Sequence, residues 1–217
     1  MSLISDEDKT YLKGEFEKNL RNPVKIVVFK VDDKERCPYC AETVQIMEEL
    51  SELSDKISVE VYDGDKDTEK VEEFKVDKFP ATIIMADKDL GARYYGIPSG
   101  YEFSSVIEDI VEVSHGHVHL QEATLKKLEL IDKPVHIQVF VTPSCPYCPR
   151  AVRTAHQFAF ANEHITADMV EATEFPELSE KYGVMSVPKI VINDKVEFVG
   201  AYPEPNYIAE VLKAVKD

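Results

Sequence analysis

Apolar residues fall along this chain in an order that runs twice. In the first half, helical spacing over Tyr11–Leu20 leads across a proline to an apolar run, Ile26–Phe29. A helix is predicted over Cys40–Leu53, where Val44 and Met47 keep helical spacing, then a strand over Ser58–Tyr62 and a helix over Thr68–Phe74. A proline-led apolar run, Ala81–Met85, and a final strand follow, and Glu102–Val113 closes the half as a helix. The second half repeats the order: Thr124–Ile131, Ile137–Val141, Pro149–Glu163 (Val152, Ala155 and Phe158 apolar), Ala167–Val170, Pro176–Tyr182, Lys189–Ile192 and Asn206–Val215. After its opening helix, each half reads β-α-β-α-β-β-α. That pattern predicts an α/β protein in which each half is a mixed sheet with helices on both faces.

The letters repeat as well as the pattern. Pro23-Val-Lys-Ile-Val-Val-Phe29 matches Pro134-Val-His-Ile-Gln-Val-Phe140, and each precedes a C-P-Y-C tetrapeptide, Cys37-Pro38-Tyr39-Cys40 and Cys145-Pro146-Tyr147-Cys148. The tetrapeptides lie 108 residues apart in a chain of 217 and hold all four cysteines. Pro80 and Pro188 each stand 43 residues after the first cysteine of their pair, and Tyr95-Gly96-Ile97-Pro98 resembles Val199-Gly200-Ala201-Tyr202-Pro203. Landmarks kept in order at constant spacing indicate tandem homologous domains. The boundary is expected near residues 114–121, giving units 1–117 and 118–217. The first copy carries extra residues before its motif, Val31–Arg36 against Thr142–Ser144.

Charge narrows the partners. With 25 basic and 41 acidic side chains the net charge is −16, and no basic patch of useful size interrupts it. A nucleic-acid backbone would be repelled. No apolar run approaches the roughly 18–20 residues of a membrane span, and the N-terminus is charged rather than signal-like, so a cytoplasmic location is expected. A charged fraction of 30% with only nine Asn plus Gln leans towards a hyperthermophile, where intracellular disulfides occur. Residues 1–120 hold 15 basic and 27 acidic side chains, net −12, whereas the remainder is net −4.

Three chemistries suit a C-x-x-C pair. As a dithiol at a strand–helix join, the helix N-terminus favours a thiolate on the first cysteine. That thiolate attacks a partner disulfide, and the second cysteine, three positions on, resolves the mixed disulfide. Cys37 and Cys145 would be the nucleophiles, Cys40 and Cys148 the resolving thiols. A second reading joins the two pairs in one zinc site, but 104 residues separate Cys40 from Cys145, against roughly 15–20 in common zinc modules. The third reading is small, buried, inert cysteines, which leaves their recurrence at element junctions unexplained.

Strand, C-P-Y-C, helix and a proline 43 residues on resemble the thioredoxin superfamily, and the tetrapeptide resembles that of glutaredoxins. Two such units, each with a leading helix, resemble the protein disulfide oxidoreductases of hyperthermophilic archaea and bacteria, over essentially the whole chain. The resemblance implies two tandem thioredoxin-like folds. It implies that Pro80 and Pro188 are cis-prolines facing the dithiols. It further implies that the backbone of Phe79 or Val187 pairs with an extended substrate segment, a β-strand addition tolerant of sequence. Pro38, Tyr39, Pro146 and Tyr147 would complete the substrate sites, the two tyrosines packing beside the sulfurs. The alternative for both prolines is an ordinary strand start. The chain departs from the thioredoxin branch in lacking Trp and in placing Val28 and Val139 where a buried acid is found. Deprotonation of Cys40 or Cys148 then falls to water or another base. Glu171, matched by Asp63, is a candidate, with a solvated acid as the simpler reading. The Gly-Gly and following acid that hold glutathione in glutaredoxins are also missing.

The expected function is therefore dithiol–disulfide exchange on protein substrates, reducing, forming or isomerising their disulfides. The alternative is a dedicated electron carrier between a flavin-dependent reductase and a peroxiredoxin-type client. A third reading is a chaperone-like binding module built on the cis-proline grooves. No FAD or NAD fingerprint is present, so no cofactor is expected and electrons would come from a thioredoxin-reductase-like partner or a small thiol. Arg36 beside Cys37, with Lys34 near it and Glu35 partly offsetting, should lower that thiol's pKa, while Cys145 is preceded by neutral Thr142-Pro143-Ser144 and followed by Arg150. The less acidic second unit is expected to meet protein substrates more readily. No metal is expected: His115, His117 and His119 read as a polar linker, and Asp63-Gly64-Asp65-Lys66-Asp67 as a turn with a helix cap.

Overall fold

The apolar runs that precede each C-P-Y-C become central strands. In the computed structural model, which describes residues 2–216, these are β1 (Val24–Lys30) and β5 (Val135–Val141). The first repeat holds α1 (Asp6–Asn19), β1, α2 (Cys40–Ser51), β2 (Ile57–Asp63), α3 (Thr68–Phe74), β3 (Ala81–Met85), β4 (Ala92–Tyr95) and α4 (Phe103–His115). The second holds α5 (Glu122–Leu128), β5, α6 (Cys148–Ala161), β6 (Ile165–Glu171), α7 (Pro176–Lys181), β7 (Lys189–Ile192), β8 (Val196–Val199) and α8 (Glu204–Val215). Strand order is β2-β1-β3-β4 in the first repeat and β6-β5-β7-β8 in the second. Each central strand pairs parallel with the strand that follows it and antiparallel with the next, so both repeats have the expected mixed sheet. Ile26–Phe29 and Ile137, Val139, Phe140 and Val141 are wholly buried. Such runs are what a strand covered on both faces by helices requires. By packing, one compact unit comprises the chain to Asp89, Tyr94–Ile97 and Ile110–Gly116, and the other comprises Leu90–Arg93, Pro98–Asp109 and the chain from His117 on.

Element ends differ from the sequence reading where a single side chain decides them. Helix α1 starts five residues before Tyr11 because the Ser5 hydroxyl accepts from the Asp8 amide at 3.1 Å, with three acids in the first turn. Helix α5 stops at Leu128 rather than Ile131, and the Asn162 side-chain amide donates to the carbonyls of both residues. His115 ends α4 and its Nε2 lies 2.7 Å from the Asn19 carbonyl, so only His117 and His119 of the histidine run lie beyond the helix. The Asp63–Asp67 segment is a turn, but Asp67 does not cap α3 with its side chain. Its carboxylate accepts instead from the Asp63 amide at 2.7 Å. Among the described residues no helix is long and apolar enough to cross a membrane.

Two candidate redox sites

Each motif fills the join between a central strand and the helix after it. The second cysteine is the first residue of α2 or α6, and the first cysteine lies three residues earlier in the loop. Both pairs are closed as disulfides, Cys37–Cys40 and Cys145–Cys148, with Cα–Cα distances of 5.4 and 5.5 Å. Every sulfur thus has its partner inside its own tetrapeptide, which is the dithiol arrangement and not a shared four-sulfur centre. Among the described residues no group of three or more His, Cys, Asp or Glu is placed to hold a metal ion.

Both prolines 43 residues on follow cis peptide bonds, Phe79–Pro80 and Val187–Pro188. In the first unit Phe79 packs on a small apolar cluster of Val31, Cys37 and Cys40. Its ring also covers Gly64, where an added Cβ would lie 2.4 Å from the ring. The Val31 amide donates to Cys40 Sγ at 3.3 Å, a contact that favours negative charge on the resolving sulfur. In the second unit Val187 packs on Phe140, Val170, Tyr182 and Val191. The loop before Cys145 is braced by its neighbour: the Tyr101 amide donates to the Pro143 carbonyl at 3.0 Å, and Gly100 sits so close at φ +60° that a Cβ would fall 2.2 Å from that oxygen.

The charged surroundings depart from the sequence reading. Arg36 does not stand as an open cation beside Cys37. Its guanidinium makes two contacts of 2.9 and 3.0 Å to the Asp65 carboxylate. Lys30 bonds Asp32 and Asp63, and Lys66 reaches Asp63 at 2.6 Å. Lys66, together with the Asp65 amide and Lys30, holds the Asp63 carboxyl down at about 2. At the equivalent strand-end pair of the second unit, Val141 faces Glu171 and no lysine is present. Glu171 is not solvated as expected: it is 2% exposed, and its Oε2 accepts from the Thr173 hydroxyl and the Glu174 amide while Oε1 is buried without a hydrogen bond. Tyr39 and Tyr147 are exposed at 45% and 70%, so their rings stand open to solvent rather than packed away. Pro38 and Pro146 are exposed beside them, and Pro80 and Pro188 are buried.

Sequence reasoning placed Gly64 in a turn without its contact to Phe79 and passed over Gly100; each lets another segment approach closely. No local signal marks them, since the partner residues are distant in sequence. It named Arg150, two residues after Cys148, but passed over Glu42 at the equivalent place after Cys40. Aligning the repeats residue by residue exposes that reversal of charge.

Comparison with known proteins agrees with this geometry. The family profile described as a thioredoxin domain matches residues 135–213. A crystal structure of a protein disulfide oxidoreductase from Aeropyrum pernix superposes with a TM-score of 0.88 at 35% identity, covering 95% of this chain and 91% of that one. The chain belongs to the thioredoxin-fold disulfide oxidoreductases. It is a redox enzyme of two tandem thioredoxin-like units, each with a C-x-x-C disulfide. Within this family, a structure of the alkylhydroperoxide reductase AhpF from Enterococcus faecalis superposes with a TM-score of 0.87 at 26% identity, covering 96% of this chain and 99% of that one. The F component of the alkyl hydroperoxide reductase of Staphylococcus aureus is 25% identical over 162 residues, which are 75% of this chain and 28% of that protein. The chain thus spans less than a third of the length of the curated relatives it matches.

Proposed function

We propose that the protein is a dithiol relay that carries electron pairs from a flavin-dependent reductase to a peroxiredoxin-type client. The observation that carries this reading is the end-to-end likeness to the solved alkylhydroperoxide reductase AhpF chain. The 217 residues contain no G-x-G-x-x-G nucleotide fingerprint, so electrons reach them by thiol exchange. In the forward half-reaction the Cys145 thiolate attacks a sulfur of the client disulfide. That S–S bond breaks, and the departing client thiolate takes up a proton. The Cys148 thiolate then attacks Cys145 Sγ and releases the second client thiol. The client gains two electrons and the Cys145–Cys148 disulfide closes. A donor dithiol reopens it by the reverse steps. Cys37 and Cys40 play the same parts in the first unit, the sequence repeats being 1–117 and 118–217. Phe79 or Val187, before its cis-proline, offers backbone to an extended client segment, with Pro38 and Tyr39, or Pro146 and Tyr147, at the rim.

The 35% likeness to a protein disulfide oxidoreductase favours a second reading, exchange on many protein disulfides, and the hyperthermophile composition belongs with it. One pair of assays separates the two. A peroxide-consuming assay uses a flavin reductase and a peroxiredoxin, and a precipitation assay uses insulin. The relay reading expects the Cys145→Ser/Cys148→Ser chain to lose peroxide turnover by more than about a hundredfold, since the nucleophile is gone. It expects insulin to be a poor substrate of the intact chain. Rapid insulin reduction without peroxiredoxin turnover would select the second reading.

A further inference from the structure

The positions two residues after the resolving cysteines, Glu42 and Arg150, lie 108 residues apart in the repeat and carry opposite charge. Both lie in the first turn of the helix that the resolving cysteine begins. Each lines a cavity: the wall of the first includes both cysteines of its dithiol, and that of the second includes Pro146 and Pro149, the residues that follow Cys145 and Cys148. The first cavity, about 430 Å³, is bounded by Cys37, Cys40, Lys30, Asp32, Lys34 and Glu42. Its charges balance, with Lys30 already held by Asp32 and Asp63, and one carboxylate oxygen of Glu42 is buried without a hydrogen bond. The second cavity, about 330 Å³, is bounded by Tyr101, Glu108, Pro146, Arg150, Arg153 and Thr154. There Arg153 is ion-paired with Glu108, which leaves Arg150, exposed and without an ion pair among the described residues, as the surplus charge.

We propose that the cavity beside Cys145–Cys148 receives an acidic side chain that flanks the attacked cysteine of a polypeptide partner, with Arg150 as its counter-charge. The proposal rests on the thiol-exchange reading above. On a chain of net charge −16 an acidic partner is repelled from most of the surface, so a single uncompensated guanidinium beside one dithiol decides which site it can approach. Glu42, at the equivalent place, turns the same partner away from Cys37. A polypeptide occupant fits the rest of the second site, where Tyr147, two residues after Cys145, and Met185, three before the cis-proline, are exposed at 70% and 94% and offer apolar contact.

The test uses full-length protein and two synthetic disulfide peptides, identical except for Glu or Lys on both sides of the cysteine. In the Cys37→Ser/Cys40→Ser background only the second dithiol works. Arg150→Glu is expected there to lower the ratio of kcat/KM for the acidic over the basic peptide by about threefold to tenfold at low ionic strength. Arg150→Gln should fall between, and the effect should shrink in high salt. In the Cys145→Ser/Cys148→Ser background, Glu42→Arg should raise the same ratio. An unchanged ratio in Arg150→Glu, with both peptides still reduced, would overturn the docking proposal and leave thiol exchange standing. Failure of either background to reduce either peptide would overturn both.

Discussion

At Cys37–Cys40 the protein surrounds its dithiol with charge, and at Cys145–Cys148 it leaves an apolar and aromatic rim. The third residue before the cis-proline is Asp77 in the first unit, ion-paired to Lys78, and Met185 in the second, 94% exposed. The inserted Val31–Arg36 segment adds Asp32, which engages Lys30, and Arg36, which engages Asp65. Access to sulfur differs in the same sense. Cys145 is 7% exposed while Cys148 is fully buried, whereas Cys37 and Cys40 are alike at 2% and 4%. Attack needs a reachable first sulfur and a shielded second one, and the second unit provides that order. Strand, helix and cis-proline set up the same chemistry twice, and the side chains around the rim choose what each copy meets.

Substitutions confined to one unit can break this comparison. The largest effect is expected at Gly100. Alanine there must keep φ +60° and press a methyl into the Pro143 carbonyl, at a cost of about 3 kcal/mol in strain, and it should slow reactions of Cys145 while sparing those of Cys37. Single-site kinetics in the two double-serine backgrounds read this out, and equal slowing of both sites would count against a local brace.

The two units should also respond to pH in opposite directions. Burial pushes the Glu102 carboxyl up to about 8, the Ser105 hydroxyl opposing and Asp109 adding to the rise. The folded chain then holds a proton that the unfolded chain has lost above about 4.5, so the second unit loses stability as pH climbs from there to about 8. In the first unit burial alone would raise Glu49, but the Ser2 hydroxyl, the Leu3 and Ile4 amides and the Gln45 side chain hold it well below the usual carboxylate range. Its contribution is complete above the ordinary value and fades as pH falls below it. Glu102→Gln should therefore stabilise the protein by about 2 kcal/mol at pH 8 and by little at pH 4. Thermal melts across that range that kept the wild-type slope in the variant would remove Glu102 as its source. The smallest effect expected is at Tyr207, whose hydroxyl is buried without a hydrogen bond in the second core. Tyr207→Phe should be neutral or stabilising by up to about 1 kcal/mol in chemical denaturation.

Much of the fold was legible because its central strands are continuous apolar runs and because the motif-to-proline spacing repeats. The four cysteines and both prolines were therefore found together. What stayed hidden depends on how single side chains are turned and paired in the fold. Arg36 reads as a free cation until Asp65, 29 residues on, is folded against it. Glu171 reads as a surface acid until Thr173 and Glu174 turn back over it. The start of α1 turns on Ser5, a capping residue ahead of the apolar pattern that first signals the helix.

Trapping the mixed disulfide tests the central claim most directly. Reduced Cys148→Ser and Cys40→Ser chains, each mixed with an oxidised peroxiredoxin-type client, should stall at the covalent intermediate, which mass spectrometry assigns to a cysteine. The account predicts abundant client adduct on Cys145 in the first chain and little on Cys37 in the second. Adduct formed chiefly on Cys37 would contradict it.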